Sequence, residues 1–297
     1  MERAPIPNLA LAMRVGRIEE PDPLEGYLRY GRRLRDEVVS LLPGGWDWED
    51  KRVLDFGCGA GRILRHFLPE AELAEFYGSD IDRPSIEWLG RHMSPPLRVL
   101  TNGESPPLAL ASSSFDLIYA TSVFTHITDY WAAWLLDLRR ILKPDGILIA
   151  TFHGPAMYPT VTGEDQDEDR IGMNVLCRGR SWDEGGPGVM LSRWWIRAHW
   201  GRAFEILDLR PQGFATDHGG QGVAVMRPKP GALTPDDLRA LEPNEPREIA
   251  ALQANVEQLH HEDERARRWL AELQASPSWR ITAPLRLAKG AVRRKRV

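Results

Sequence analysis

The stretch "VLDFGCGAGR", residues 53–62, constrains the fold more than any other part of the chain. It places Gly57, Gly59 and Gly61 directly after an apolar run that is typical of a buried strand. Because glycine loses much conformational entropy on folding, such a loop is expected where backbone must turn sharply or approach something closely. If the loop leads into a helix, the N–H groups at the helix start face the space above the strand, which suits a phosphate or a carboxylate.

Segments typical of strands and helices alternate from this loop to about residue 153. Strands are predicted in "KRVLDFG", "AEFYGSDID", "LRVLTNG", "FDLIYATSVF" and "ILIATFHG", and helices in "RILRHFLPE", "RPSIEWLGRHM" and "TDYWAAWLLDLRRIL". Two later strands, "FEILDLRP" and "GQGVAVMRPKP", have a connection too short for a crossover helix and should pair antiparallel. The pattern predicts an α/β fold with a seven-stranded, mostly parallel sheet, an antiparallel last strand and helices on both faces.

Charge is unevenly distributed along the 297 residues. The formal net charge is −4, but the last eighteen residues carry seven Lys and Arg and no acid, so the other residues sum to −11. An acidic body argues against a nucleic-acid enzyme. No apolar run is long enough to span a bilayer, and the N-terminal stretch is too charged for a signal peptide. Cys58 and Cys177 match neither a disulfide framework nor a metal site, so a cytoplasmic, metal-free protein is predicted.

A second motif lies about twenty residues beyond the glycine loop, where Asp80 in "GSDID" ends the next predicted strand. An acid at that point can accept hydrogen bonds from ribose hydroxyls. The loop has G-x-G-x-G spacing, whereas the dinucleotide fingerprint is G-x-G-x-x-G, and its sixth position here is the bulky Arg62. A nucleoside cofactor with a small anion is therefore favoured, and a nicotinamide-dependent oxidoreductase is the less favoured alternative.

Taken together and in this order, the motifs resemble those of the class I S-adenosylmethionine-dependent methyltransferases. "VLDFGCGAGR" and "YGSDID" look like the first two motifs, "LTNGE" and "SFDLIYATSVFTHI" like the ends of the third and fourth strands, and "LRRILKPDGILIATFHG" like the helix, turn and fifth strand. The resemblance covers roughly residues 25–228. It implies a Rossmann-like three-layer sandwich and S-adenosyl-L-methionine as cofactor.

The resemblance also implies a role for individual residues. Gly57, Cys58 and Gly59 would line the methionine part of the cofactor, and Asp55 would brace their loop. Asp80 would bind the ribose hydroxyls, for which Asp82 is the nearest rival. The remaining contacts would be Ile81 on the adenine, Asn102 and Gly103 at the adenine edge, and Thr121 under the methionine part.

Methyl transfer to a poorly acidic hydroxyl needs a general base near the strand ends. His126 in "FTHI" and His153 in "TFHG" are the candidates, because histidine titrates near neutral pH. A purely structural role is the competing interpretation for both. Asp129 and His218 are further candidates.

The chain divides by composition into five parts. The predicted parts are an N-terminal helical segment (1–48), a methyltransferase domain (49–230) with an irregular substrate loop at about 154–190, a linker (231–245), a helix or short coiled coil (246–275) and a basic tail (276–297).

Three tryptophans, Trp194, Trp195 and Trp200, share one predicted helix. Packing in the core is expected for them, and a platform that binds substrate is the alternative.

Segment 246–275 carries an apolar heptad pattern. The core positions alternate three and four residues apart, which is typical of a coiled coil and predicts a homo-oligomer. Asp263 occupies the one polar core position. An amphipathic helix lying on its own domain is the alternative. The apolar core positions are Ile249, Leu252, Val256, Leu259, Ala266, Leu270 and Leu273.

The tail, "SPSWRITAPLRLAKGAVRRKRV", resembles a segment of the "SxSWRxTxPLR" kind found after coiled coils in bacterial glycosyltransferases and methyltransferases of surface-polysaccharide assembly. The resemblance implies O-methylation of a saccharide in cell-surface glycan synthesis. Its positive charges suit contact with a glycosyltransferase or with the inner face of an anionic membrane. A disordered terminus, a small-molecule methyltransferase and a non-catalytic scaffold are the alternatives.

Overall fold

A computed structural model describes residues 4–15, 21–163, 165, 167–181, 185–215 and 220–282. The chain divides into two compact units, Met1–Leu252 and Gln253–Val297. Most of the predicted basic tail, residues 283–297, and the candidate His218 lie outside the described residues.

Seven strands form the main sheet and two more form a small second sheet. In chain order they are β1 (Arg52–Phe56), β2 (Glu75–Asp80), β3 (Arg98–Thr101), β4 (Phe115–Ala120), β5 (Leu142–Phe152), β6 (Met173–Leu176), β7 (Gly188–Leu191), β8 (Phe204–Phe214) and β9 (Gln221–Pro228). The main sheet has the order β3-β2-β1-β4-β5-β9-β8. Its neighbours from β3 to β5 pair parallel, whereas β9 pairs antiparallel with both β5 and β8. The predicted seven-stranded sheet, with its antiparallel last strand, is confirmed.

Helix α2 (Pro23–Ser40) begins at a recognisable signal. The Asp22 carboxylate accepts from the N–H groups of Leu24 and Glu25 at 3.0 and 3.2 Å, and Pro23 occupies the first turn. The helices are α1 (Leu9–Ala12), α2 (Pro23–Ser40), α3 (Arg83–His92), α4 (Trp131–Ile141), α5 (Tyr158–Thr162), α6 (Arg193–Ala203), α7 (Pro235–Arg239), α8 (Arg247–Ala275) and α9 (Pro277–Ile281). Among the described residues, no helix combines the length and apolar character needed to cross a membrane.

Two hydrophobic cores lie on opposite faces of the sheet. Since side chains alternate along a strand, Leu54 and Phe56 of β1 enter one core while Val53 enters the other. The first core also contains buried residues of α4 and α6, and the second contains those of α2 and α3. The result is the three-layer sandwich that the sequence pattern predicted.

The helix predicted directly after the glycine loop is a correction. The structure has only a short 3-10 helix, Leu64–Phe67, in place of the predicted α-helix over "RILRHFLPE". Gly57, Gly59 and Gly61 all have positive φ, so right-handed helical backbone cannot begin before Arg62. The expected anion site at a helix start therefore has no helix long enough to supply it.

The segment predicted as an irregular loop at about 154–190 contains a second sheet. Strands β6 and β7 pair antiparallel, with Val175 opposite Val189. Each is only four residues long, which is too short for hydrophobic alternation to stand out in a stretch rich in turn formers. The expectation of structureless chain there was wrong for these strands.

Helix α6 is part of the first core. Trp194, Trp195 and Trp200 are all buried, which agrees with the core interpretation and not with a substrate platform. His199 on the same helix is also buried; its Nδ1 lies 2.7 Å from the Leu238 carbonyl oxygen and its Nε2 lies 2.7 Å from Glu248 Oε1. These contacts attach the start of α8 to α6 within the first unit.

Candidate active site

The candidate site lies where the strand order reverses. Strand β1 is flanked by β2 on one side and β4 on the other, so the chain leaves the sheet in opposite directions from this point. In open α/β sheets, ligands bind in the crevice outside the carboxyl ends of the strands at such a switch point. The glycine loop, Asp80 and Thr121 all follow or end strands at this edge.

Close packing fixes the glycine loop. Gly57 and Cys58 both donate their N–H groups to the Ser79 carbonyl oxygen, at 2.7 and 3.1 Å. A Cβ on Gly57 would lie 2.3 Å from Val123 Cγ2, and the φ of +85° there disfavours any side chain. Only glycine therefore satisfies this position.

Asp80 connects the loop to the end of β2. Its Oδ2 accepts from the Gly59 N–H at 2.6 Å, and its Oδ1 accepts from the Asp82 N–H at 2.7 Å. Burial raises the pKa of the Asp80 carboxyl, while these two N–H donors oppose the rise. Each carboxylate oxygen can accept a further hydrogen bond, so Asp80 retains capacity for hydroxyl donors.

The rival carboxylate, Asp82, is already engaged. Its Oδ2 accepts from Ser85 Oγ at 2.5 Å, and its Oδ1 forms an ion pair with Arg14. Asp82 is also buried, with 4 % of its surface exposed. These contacts favour Asp80 over Asp82 as the candidate ribose ligand.

Asn102 and Gly103 lie beside Asp80 at the end of β3. The Asn102 N–H donates to the Asp80 carbonyl oxygen at 3.0 Å. Its side-chain oxygen accepts from Ser79 Oγ at 2.7 Å, and its Nδ2 donates to the Gly103 carbonyl at 2.8 Å. The Asn102 amide oxygen, which the resemblance places at the adenine edge, thus already accepts a hydrogen bond from Ser79.

Asp55 and Cys58 lie below the loop and are buried. Burial raises the pKa of the Asp55 carboxyl well above its usual range, and the neighbouring Tyr119 hydroxyl partly opposes that rise. Burial likewise raises the pKa of the Cys58 thiol. The Gly59 N–H is held by Asp80, and the bracing role implied for Asp55 stays a prediction. Ile81 and Thr121 are half-buried at the ends of β2 and β4.

The two candidate histidines, His126 and His153, come together beyond β4 and β5. Their ring centroids are 6.1 Å apart and their planes are inclined at 82°. His126 Nδ1 lies 2.8 Å from the Pro187 carbonyl oxygen. A carbonyl can only accept, so Nδ1 carries the hydrogen, and in the neutral ring Nε2 keeps its lone pair.

Both histidine rings favour the neutral form. Although His126 is exposed at the surface, partial withdrawal of its ring from water lowers its pKa, and the Pro187 carbonyl opposes this. Burial, with a smaller contribution from His126, lowers the pKa of His153 to about 4. Asp129 is a poorer base candidate, because its exposed carboxylate pairs with Arg178 at 2.9 Å.

A polar network that sequence reasoning missed joins β4, β5 and β9 at the same edge. The Ser122 N–H donates to Thr151 Oγ1 at 2.7 Å, and the Thr151 hydroxyl donates to Gln221 Oε1 at 2.6 Å. Gln221 Nε2 donates back to Ser122 Oγ at 2.9 Å, and Ser122 has a φ of +60°. The only sequence signal is Thr151 within an otherwise apolar strand. The network holds the chain beside Thr121.

Residues 54–148 match the model of a family described as a methyltransferase domain. This stretch contains most of the glycine loop together with Asp80 and Asn102. Residues 54–148 are therefore similar to a methyltransferase domain. The match agrees with the methyltransferase domain predicted from the sequence, for which S-adenosylmethionine is the expected methyl donor.

Curated relatives of the chain carry similar names. It is 26% identical over 139 residues to "Probable methyltransferase PMT19" of Arabidopsis thaliana, across 45% of this chain and 21% of that protein. It is 26% identical over 114 residues to "Malonyl-[acyl-carrier protein] O-methyltransferase" of Halalkalibacterium halodurans, across 37% of this chain and 42% of that protein. The matched parts thus span less than half of either relative.

Solved structures of similar shape include the PH0226 protein of Pyrococcus horikoshii. It is 16% identical, with a TM-score of 0.49 over 69% of this chain and 92% of that chain. A putative S-adenosylmethionine-dependent methyltransferase of Listeria monocytogenes is also 16% identical, with a TM-score of 0.49 over 67% of this chain and 99% of that chain.

The residues at the glycine loop fit this cofactor. Asp80 presents a half-buried, acceptor-only carboxylate to a ligand that carries two ribose hydroxyl donors. At Gly103, the place where a Cβ would stand has no atom closer than 3.7 Å, which leaves room for a ligand edge. The donor set therefore agrees with a nucleoside bound between the ends of β1, β2 and β3.

Proposed function

We propose that the chain methylates a hydroxyl oxygen of a saccharide in cell-surface glycan synthesis. When bound, S-adenosylmethionine supplies a methyl group already activated on a sulfonium centre. The remaining task of the protein is to align the acceptor and remove its proton. The contact between His126 and Pro187 is the single observation that carries the assignment of a hydroxyl acceptor.

His126 is proposed as the general base. Its Nδ1–H is held by the Pro187 carbonyl, so Nε2 is the atom available to take the hydroxyl proton. The lowered pKa keeps this nitrogen unprotonated at neutral pH. His153 is proposed as a neutral neighbour that contacts the acceptor.

The cofactor residues are proposed to act as a connected group. Asp80 would bind the ribose while it holds the Gly59 N–H, so ligand binding and loop shape depend on one carboxylate. The group comprises Asp55, Gly57, Cys58, Gly59, Asp80, Ile81, Asn102, Gly103 and Thr121.

The saccharide acceptor is supported by the resemblance of residues 276–286 to the C-terminal segment of surface-polysaccharide enzymes. In this proposal the basic tail, residues 276–297, contacts a glycosyltransferase or the inner face of the membrane from the cytoplasm. Segment 246–275 is proposed to form a homo-oligomer. The exposed apolar side chains of α8, among them Ile249 and Val256, support that part.

A small-molecule O-methyltransferase is the second candidate. One relative is named "Malonyl-[acyl-carrier protein] O-methyltransferase", and a malonyl group in general carries a carboxylate that is ionised at neutral pH. Such an acceptor needs no general base, so the arrangement of His126 favours a hydroxyl acceptor instead. A non-catalytic scaffold would need no base either.

The test is transfer of a labelled methyl group. The full chain is incubated with methyl-labelled S-adenosylmethionine and with panels of saccharides and small hydroxyl compounds. Labelled saccharide, lost in His126→Gln and retained in the exposed control His260→Gln, is the expected result. Label in small molecules alone would favour the second candidate, and no label in any acceptor would favour the scaffold.

A further inference from the structure

Helix α8 has two different faces. Glu248 and Ala251 are buried within the first unit, with 4 % of each exposed. Ile249, Leu252 and Val256, on another face of the helix, are 60, 46 and 52 % exposed. A soluble surface seldom leaves such a row of large apolar side chains uncovered.

We propose that this row covers its counterpart on a second copy of the chain, in a parallel, in-register, two-stranded coiled coil. The inference deepens the proposed oligomerisation and is independent of methyl transfer. In heptad letters, Ile249, Val256, Asp263 and Leu270 occupy the a positions, and Leu252, Leu259, Ala266 and Leu273 occupy the d positions. β-Branched residues at a with leucine at d favour two strands in a parallel coiled coil.

Asp263 determines the orientation and register. In an antiparallel pair an a residue faces a d residue, and every d residue of α8 is apolar. In a parallel pair shifted by one heptad, Asp263 would face Val256 or Leu270. Both arrangements bury a carboxylate against apolar side chains, which is costly. Only the parallel, in-register pair places Asp263 opposite its own copy, and the two like charges there repel each other unless a cation neutralises them.

Arg267 supplies the positive charge that this acidic layer requires. Its Nε donates to Asp263 Oδ2 on the same helix at 2.7 Å, and both side chains are exposed in the single chain. A guanidinium has five N–H donors, so further ones remain for a second acid.

Glu262 provides that second acid across the interface. It occupies a g position and Arg267 the next e position, which are the positions that meet between helices of a parallel, in-register pair. Each interface would therefore contain two Glu262–Arg267 pairs. An antiparallel pair brings g positions together and e positions together, so it cannot form them.

Disulfide trapping tests the orientation and register. In full-length chain with Cys177→Ser, Ala266→Cys at a d position should form an interchain disulfide rapidly under mild oxidation. The matched control His261→Cys, on the opposite side of the helix, should not. Equal trapping of both variants, or trapping of neither in a protein that sediments as a dimer, would overturn the proposed geometry.

Charge reversal gives an independent test in sedimentation. Glu262→Arg and Arg267→Glu should each weaken the dimer by about tenfold, because two attractive pairs become repulsive. An equimolar mixture should recover dimer as a heterodimer with both pairs restored. A three-chain mass, or no recovery on mixing, would overturn the geometry while leaving oligomerisation intact. A monomeric full-length chain would overturn both, and binding of S-adenosylhomocysteine by that monomer would leave the cofactor proposal standing.

Discussion

The imidazole rings of His126 and His153 lie 6.1 Å apart at the edge of the sheet where the glycine loop also ends. One ring follows β4 and the other ends β5, so the parallel pairing of these two strands brings them together. Of these two rings, His126 has its Nδ1 held by a backbone carbonyl and His153 does not. The two histidines should therefore contribute differently to catalysis.

Replacing His126 with Gln should lower kcat for a hydroxyl acceptor by about 10²–10⁴-fold, since the proton acceptor is lost. His153→Gln should act mainly on the KM for the acceptor. Because withdrawal from water lowers the pKa of His126 in the free protein, the acidic limb of the kcat/KM profile should fall below the usual histidine pKa of 6.5. Steady-state kinetics from pH 5 to 8 checks this. A limb that persists unchanged in His126→Gln would assign it to another group.

Asp80→Ala should weaken binding of S-adenosylhomocysteine by roughly 1–3 kcal/mol, because ribose hydrogen bonds and the Gly59 contact are lost together. In affinity this is about 5- to 150-fold. The control is Asp116→Ala, whose carboxylate pairs with Lys143 near the other end of β4. Calorimetric titration of both variants with S-adenosylhomocysteine measures the difference. Equal affinities of Asp80→Ala and Asp116→Ala would show that Asp80 does not bind the ligand.

Acid should destabilise the fold partly through His66. Burial, with help from Arg65, lowers the pKa of His66 to about 4 from 6.5. Between these values the unfolded chain binds a proton that the folded chain does not, so stability is lost as pH falls from 6.5 towards 4. His153 acts in the same direction.

Urea unfolding at pH 7 and pH 4.5 measures the effect. His66→Gln should reduce the acid-induced loss by roughly 1–3 kcal/mol, whereas the exposed control His92→Gln should not. Equal losses in the wild type and His66→Gln would show that the folded protein protonates this ring freely.

Two glycines on helices should respond oppositely to alanine. A Cβ on Gly31 of α2 would lie 2.1 Å from the Arg62 carbonyl oxygen, so Gly31→Ala must push α2 away from the glycine loop. We expect a loss of about 2 kcal/mol or more. On α3, a Cβ on Gly90 meets nothing closer than 3.6 Å, and Gly90→Ala should add up to about 1 kcal/mol. Thermal unfolding distinguishes them; a stable Gly31→Ala would contradict the close contact.

The alternation of strands and helices could be predicted from the sequence because each core-facing strand carries a continuous or alternating apolar pattern. Val53 and Leu54 are both fully buried on opposite faces, as expected for a strand covered on both sides. The glycine loop could also be predicted from the sequence, because its geometry requires glycine. Gly57 has a positive φ and faces the Val123 side chain.

The remaining features depend on contacts between distant segments. The Pro187 carbonyl that orients His126 belongs to the turn before β7, and no local pattern marks it. Likewise, Gln221 meets Ser122 only because β9 returns antiparallel beside β5. The short 3-10 helix after the loop reflects backbone geometry that helical propensity does not predict.

Calorimetric titration of the full-length chain with S-adenosylhomocysteine, with NAD as the control ligand, tests the central claim most directly. The proposed site predicts saturable binding of one S-adenosylhomocysteine per chain and no heat from NAD. Binding of NAD in its place, or of neither ligand by a chain that circular dichroism shows to be folded, would contradict it.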